Sequence, residues 1–220
     1  MFYDYDYKLF ANGLQALSDK QVLETMLYNI ASQKEINIIV NEIGSSFLDV
    51  LGFGYERFEY LGFVNPKVIY YLEYLREFAA RYLASSYIHS VNMTLDTADK
   101  LCEYFKRLFL GINREEIYAV GLDDNLKFVC KGVISVGIPD CVEISIRKLS
   151  EFVILNGLTR VVLAHNHPQG SIYPSEDDIY TTKDIVNFLA KMDTELIDHI
   201  IVSKNNALSL RASFYFNAIW

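Results

Sequence analysis

The most informative stretch of this chain runs from Leu163 to Asp178 and reads LAHNHPQGSIYPSEDD. Its first half holds two histidines, His165 and His167, at the end of an apolar run. Residues i and i+2 of an extended strand project to the same face, so both imidazoles can point to one spot. Asp178 follows a loop with proline and glycine that can fold back toward them. The spacing therefore predicts that the three side chains meet at a strand end.

Two imidazoles and one carboxylate form a ligand set for catalytic zinc, because they leave a fourth tetrahedral position open for water. The aspartate also has a structural interpretation, since Ser175-x-x-Asp178 after Pro174 is a helix-start signal with an acidic first turn. The two interpretations are compatible, because a helix cap would fix the direction of Asp178. We predict a Zn²⁺ site formed by His165, His167 and Asp178.

The pattern His165-x-His167, seven residues, then Ser175-x-x-Asp178 resembles the JAMM (JAB, MPN-plus) metalloprotease signature. The longer string HNHPQGSIYPSEDD is similar to the RadC-like branch of that superfamily, which typically has His-Asn-His-Pro-Ser-Gly and then Pro-Ser before the aspartate. Gln169 stands where that branch usually has serine, which changes the loop and no ligand. The letters His-Asn-His also occur in HNH nucleases, but those enzymes spread the three residues over a ββα unit.

The resemblance implies a JAB/JAMM metallohydrolase, a zinc-dependent peptidase or isopeptidase that acts on a protein or peptide substrate. Zinc in such a site lowers the pKa of its bound water to about 7 and polarises the substrate carbonyl. A carboxylate then carries a proton from the water to the leaving amine. The pattern also gives Ser175 a catalytic role, in which its hydroxyl bonds the developing oxyanion or orients the water.

The JAMM pattern supplies the proton-carrying carboxylate from the strand just upstream, where Glu115 and Glu116 are both available. Alternation puts the first on the face of Ala119 and the second on the face of Tyr118, and leaves open which face meets the metal. The small Ala119 leaves room beside a site, and the RadC-like pattern places its glutamate eight residues before the strand end, here Asp123. We therefore predict Glu115 as the general base, with a solvated strand end as the structural alternative.

The order of elements predicts an α/β protein with two domains. Residues 1–90 form a helical domain, with helices after Ser18, around 34–43, at 46–51 and at 61–83, and a boundary in the non-periodic stretch 85–94. Residues 91–220 form the JAB/JAMM-like domain, in which strands and helices alternate after 115. The predicted strands are 115–122, 126–137, 159–165 and a final hairpin, and the predicted helices start at Thr94 or Thr97 and cover 145–156 and 175–191. His199, between apolar residues, is predicted to be a satisfied sheet histidine and not a fourth ligand.

The N-terminal helices weakly resemble the domain that precedes the metalloprotease-like domain in RadC-type proteins, where a Gly-x-Gly hairpin approaches DNA phosphate. This chain has Gly62 but the bulky Val64 in place of the second glycine, which hinders close backbone approach. Its net charge of −8 is also opposite to that of a typical nucleic-acid binder, so we expect no tight DNA binding by residues 1–90. A DNA-repair-associated RadC-type protein and a non-catalytic metal-binding scaffold are the alternatives.

The composition predicts a globular cytoplasmic protein. Hydrophobic residues make up 51% of the 220 residues, yet no run approaches the roughly 18 apolar residues of a membrane span. The start MFYDYDYKLF is not that of a signal peptide. Cys102, Cys130 and Cys141 show no CxxC spacing and indicate buried or free thiols in a reducing compartment.

Overall fold

The computed structural model describes residues 15, 17–53, 58, 65–137, 144–168, 170–213 and 219. Helices come first and a mixture of strands and helices follows, which confirms the predicted α/β class. The contacts group residues 1–78 and 79–220 into two compact units. Gly62 and Val64 of the predicted hairpin lie outside the described residues, as do Cys141 and Gln169.

The first unit is helical. It contains α1 (Asp19–Leu27), α2 (Gln33–Ile38), a π-helical turn (Ile39–Ile43) and α3 (Phe47–Leu51). Ser18 and Ser32 begin α1 and α2 with capping boxes, in which the serine hydroxyl and a Gln or Glu side chain satisfy backbone N–H groups. The buried side chains of this unit include Leu23, Leu27, Ile36, Ile39, Phe58, Val68 and Leu72.

The long helix α4 (Pro66–Ser90) extends further than the sequence pattern indicated. Residues 85–90, which we expected in a non-periodic linker, continue the helix because Ala80, Ala84 and Ile88 keep a buried stripe at four-residue spacing. The division between the two compact units falls within this helix, and the predicted domain boundary near 90 stays a prediction. Although α4 is 25 residues long, none of the helices described has the apolar character needed to cross a bilayer.

The second unit is built on one five-stranded sheet. Its elements are α5 (Ala98–Leu108), β1 (Glu116–Leu122), β2 (Phe128–Val136), α6 (Ile146–Asn156), β3 (Arg160–Asn166), α7 (Glu176–Ala190), β4 (Glu195–Ser203) and β5 (Asn206–Ser209). Thr97, one of the two predicted starts, caps α5. The strand order is β2-β1-β3-β4-β5, in which β3 and β4 are parallel and every other pair is antiparallel.

Helices cover both faces of this sheet, and strand alternation sorts its residues between them. The face that packs on α5 is called the α5 face; its core contains Leu101, Phe105, Tyr118, Val120, Val162, Ala164, Ile200 and Val202. The opposite face, called the α7 face, packs on α6 and α7; its core contains Ile117, Ala119, Leu149, Val153, Val161, Leu163, Ile185 and Leu189. Both predicted histidines lie at the edge of the α7 face.

Candidate metal centre

His165 and His167 project together from the C-terminal end of β3. The strand stays in register just past its end, because the His167 N–H donates to the Val202 carbonyl oxygen at 2.8 Å. The extended backbone therefore continues through both histidines and points them to one side, as the sequence predicts. His165 is buried and His167 is half-buried, and their Nε2 atoms are 2.9 Å apart.

Asp178 reaches the two histidines from the first turn of α7. The Ser175 hydroxyl accepts a hydrogen bond from the Asp178 N–H at 3.1 Å, and the Asp178 carboxylate accepts one from the Ser175 N–H at 2.8 Å. This capping box holds one carboxylate oxygen 3.2 Å from His165 Nε2 and the other 3.5 Å from His167 Nε2. The same residues thus cap the helix and direct Asp178 into the site.

Ser175 makes one further contact, since its hydroxyl donates to the Asp178 carboxylate at 2.7 Å. The hydroxyl proton is therefore directed at the carboxylate. The contact gives Ser175 a visible task, which is to hold Asp178. Its predicted role toward an oxyanion stays a prediction.

The three predicted side chains could hold a metal ion, because one ligand atom from each lies within 4.8 Å of the other two. His167 Nδ1 is 2.7 Å from the Ser171 carbonyl oxygen, which can only accept. Nδ1 therefore carries the proton, and a neutral His167 turns the lone pair of Nε2 toward the other ligands. Nitrogen and carboxylate lone pairs that converge without matching donors fit a cation, and imidazole with carboxylate suits zinc.

The charges around the site also favour a bound cation. The hydrogen bond to Asp178 raises the pKa of His167 despite the opposite effect of burial, and the charge of Glu115 adds to the rise. Burial opposes ionisation of Asp178, but its contacts with His165 and His167 outweigh that effect and hold the pKa of the carboxyl well below its usual range. Both shifts show that negative charge at Asp178 and positive charge at His167 stabilise each other, and a bound cation can supply that positive charge in place of a proton.

His199 on β4 contacts the site from behind. Its Nε2 is 2.8 Å from His165 Nδ1, and its Nδ1 is 2.7 Å from the Thr182 hydroxyl. Both ring nitrogens have partners, which confirms the prediction of a satisfied sheet histidine. Burial lowers the pKa of His199 to about 3, so the ring is neutral at pH 7. Sequence reasoning missed Thr182, although its i+4 spacing from Asp178 places both on one helix face.

Glu115 lies directly before β1, where its carbonyl oxygen accepts a hydrogen bond from the Gly137 N–H at 2.8 Å. Ile117, two residues further, pairs with His165 on β3. Alternation therefore puts Glu115 on the α7 face with His165. Its carboxylate is close enough to His167 to raise the pKa of that histidine. The catalytic role of Glu115 stays a prediction.

Glu116 is directed to the opposite, α5 face. It is buried, and its carboxylate accepts hydrogen bonds from Arg114 Nε at 2.7 Å and the Tyr118 hydroxyl at 3.1 Å. Its backbone N–H donates to the Asn166 side-chain oxygen at 2.8 Å, and the Asn166 amide donates to the Arg114 carbonyl at 2.9 Å. Asn166, between the two histidines, thus ties the segment that carries Glu115 to β3. Sequence reasoning assigned Asn166 no such task.

Comparison with known proteins identifies a family that matches this chain. The family model of the RadC-like JAB domain matches residues 95–215. A UPF0758 protein of Finegoldia magna is 26% identical over 217 residues, which cover 95% of this chain and 94% of the relative. UPF0758 proteins of Ralstonia pickettii and Fusobacterium nucleatum are 27% and 26% identical over 203 and 210 residues, covering 90% and 92% of this chain and 89% and 90% of the relatives. The similarity thus extends over nearly the whole chain.

Proposed function

This chain belongs to the RadC-like JAB domain family, and we propose that it is a zinc-dependent metallohydrolase that cleaves peptide or isopeptide bonds. The observation that carries the proposal is the convergence of His165, His167 and Asp178 within 4.8 Å. These three residues would hold the zinc ion. When bound, zinc supplies a Lewis acid for the carbonyl oxygen and lowers the pKa of a water molecule.

Glu115 is the proposed general base. It would accept a proton from the attacking water and pass it to the leaving nitrogen, a task that typically contributes about 10²–10⁴ in rate. Its place on the α7 face supports this role, whereas the carboxylate of Glu116 is turned away and held by Arg114 and Tyr118. Ser175 would keep Asp178 in place through its backbone N–H, and its hydroxyl would leave the carboxylate to donate to the developing oxyanion.

A protein or peptide is the proposed substrate. The JAB family supports this class, and a net charge of −8 disfavours a polyanionic partner such as DNA. We also propose a cytoplasmic location. Cys102 and Cys130 are free thiols, as expected in a reducing compartment, and burial raises the pKa of Cys102 to about 11, which makes that thiol unreactive.

The test combines metal analysis with hydrolysis. The full chain, purified without chelator, is expected to contain one zinc ion and to cleave members of a panel of peptide and isopeptide substrates. Cleavage should stop with a chelator and return with zinc. Metal binding without cleavage of any substrate would favour the scaffold alternative. Sub-micromolar DNA binding that falls steeply with salt would favour the nucleic-acid alternative.

A further inference from the structure

Two buried side chains behind the metal centre connect two of its ligands. The Thr182 hydroxyl lies 2.5 Å from the Asp178 carbonyl oxygen and 2.7 Å from His199 Nδ1. His199 Nε2 in turn lies 2.8 Å from His165 Nδ1. Thr182 and His199 are 0% and 1% exposed, so water cannot substitute for either partner. A continuous path of hydrogen bonds therefore joins the backbone of one ligand to the ring of the other.

The carbonyl at one end sets the direction of every hydrogen bond in this path. A carbonyl oxygen only accepts, so the Thr182 hydroxyl gives its proton to Asp178 and must accept from His199 Nδ1–H. A neutral imidazole carries one N–H, which leaves His199 Nε2 as an acceptor for His165 Nδ1–H. His165 is thus protonated on Nδ1 and turns an unprotonated Nε2 toward Asp178.

We propose that Thr182 and His199 are positioning residues that set the tautomer and ring orientation of His165 for metal binding. The inference rests on the metal site of the proposed function and not on hydrolysis. Rotation of the His165 ring, or a change of its tautomer, leaves buried donors or acceptors without partners, which is costly. Loss of such an outer partner typically lowers metal affinity about 10–100-fold.

Thr182→Val and Thr182→Ser separate this role from packing. Valine keeps the shape of threonine but lacks the hydroxyl, so His199 Nδ1–H loses its acceptor. The His199 proton then moves to Nε2 and donates to His165 Nδ1, which drives the His165 proton onto the metal-binding Nε2. We expect Thr182→Val to lower the affinity for Co²⁺ and for Zn²⁺, measured by chelator competition, about 10–100-fold. Serine keeps the hydroxyl and should keep the affinity.

Thr194→Val is the matched control. Thr194 is also buried, and its hydroxyl donates to the Leu158 carbonyl at 3.0 Å. Leu158 is not one of the three proposed metal ligands. This variant should lose stability without losing metal affinity. Nitrogen-15 NMR of the full metal-free chain gives a second readout, with Nδ1–H tautomers expected for His165 and His199. In Thr182→Val the His199 signals should change to those of the Nε2–H tautomer.

The inference would be overturned by wild-type affinity in Thr182→Val, by an equal loss in Thr194→Val, or by a His199 protonated on Nε2 in the wild-type chain. A chain that follows the expected order of variants with Co²⁺ but cleaves no substrate would support the inference and remove the hydrolase proposal. Cleavage of peptides together with wild-type metal affinity in Thr182→Val would support the hydrolase proposal and overturn the inference. Binding of neither Co²⁺ nor Zn²⁺ would overturn both.

Discussion

The α5 face and the α7 face of the sheet both bury ionisable side chains, but they surround them differently. On the α5 face, Glu116 receives hydrogen bonds from Arg114 and Tyr118. Asp198 on the same face receives one from the Ser209 hydroxyl and two more from backbone N–H groups. Both carboxylates are therefore met by donors, as buried acids of a stable core must be.

On the α7 face, hydrogen-bond acceptors lie next to other acceptors. The Nε2 atoms of His165 and His167 face each other at 2.9 Å, and the Asp178 carboxylate lies beside them. When both rings are neutral, their protons are engaged elsewhere, with His199 and the Ser171 carbonyl. Burial of polar groups therefore does not identify a site by itself. A shortage of donors among converging acceptors does.

The largest effect is expected on the α7 face, from His165→Ala. The variant should bind no zinc and show no hydrolysis, because a ligand is missing. Its fold should persist, since the histidine lies at a strand end, and melting should change modestly apart from the stabilisation that bound metal provides. Metal analysis and thermal melting with and without chelator measure this. Global unfolding of the variant would mean that His165 is structural.

Substitution of the two neighbouring glutamates tests which face of the sheet carries the catalytic residue. Glu115→Gln should keep zinc and lower turnover by about 10²–10⁴, because an amide cannot accept the proton. Glu116→Gln keeps the shape and weakens the ion pair with Arg114, so it should lower stability and leave turnover unchanged. Steady-state kinetics and metal analysis of the two variants measure these effects. The reverse order would mean that the catalytic face is misassigned, and a loss in neither would argue against hydrolysis.

Metal affinity should depend on pH through His167. The hydrogen bond to Asp178 raises its pKa in the metal-free protein, and this proton must leave before a metal binds. Below the raised pKa, Zn²⁺ affinity should therefore fall about tenfold per pH unit, since one proton is exchanged. Calorimetric titrations across pH 5–8 measure it. A flat profile would show that no ligand is protonated in the metal-free site.

The raised pKa of His167 has the opposite effect on the stability of the metal-free chain, whereas the lowered pKa of Asp178 limits that stability at low pH. The raised pKa of His167 contributes stability that is complete below its ordinary pKa of about 6.5 and is lost as pH rises through the raised value. The lowered pKa of Asp178 contributes stability above its ordinary pKa of about 3.9, which is lost only as pH falls toward the lowered value. Chelator-treated protein should thus be most stable at pH values above the lowered pKa of Asp178 and below the raised pKa of His167. The variant His167→Gln should no longer lose stability as pH rises through that upper value.

The smallest effect is expected on the α5 face, from Ser209→Ala. This variant removes one donor to Asp198, and a hydrogen bond to a charged group contributes about 1.5–3 kcal/mol. Chemical denaturation should show a loss of free energy of unfolding in that range, with unchanged zinc affinity. Asp198 also accepts from the backbone N–H of His199. A clear loss of zinc affinity would show that the two faces are coupled through this strand.

Local sequence pattern was sufficient to predict the direction of the three metal-ligand side chains. The alternation of His165 and His167, and the capping box of Ser175 and Asp178, depend on residues within one strand and one helical turn, so the sequence alone predicts where those side chains point. Alternation also separated Glu115 from Glu116. It did not show which of them faces the metal, because that depends on the pairing of Ile117 with His165 across the sheet.

The surroundings of the ligands depend on contacts between residues far apart in the chain. His199 contacts His165 from 34 residues away, and Asn166 holds Glu116 from 50 residues away, since β3 lies between β1 and β4. The extension of α4 to Ser90 was likewise set by burial of Ile88 in the core. The sequence determined each local conformation because neighbouring residues impose it. Strand order and long-range contacts result from packing the whole chain, which no short pattern encodes.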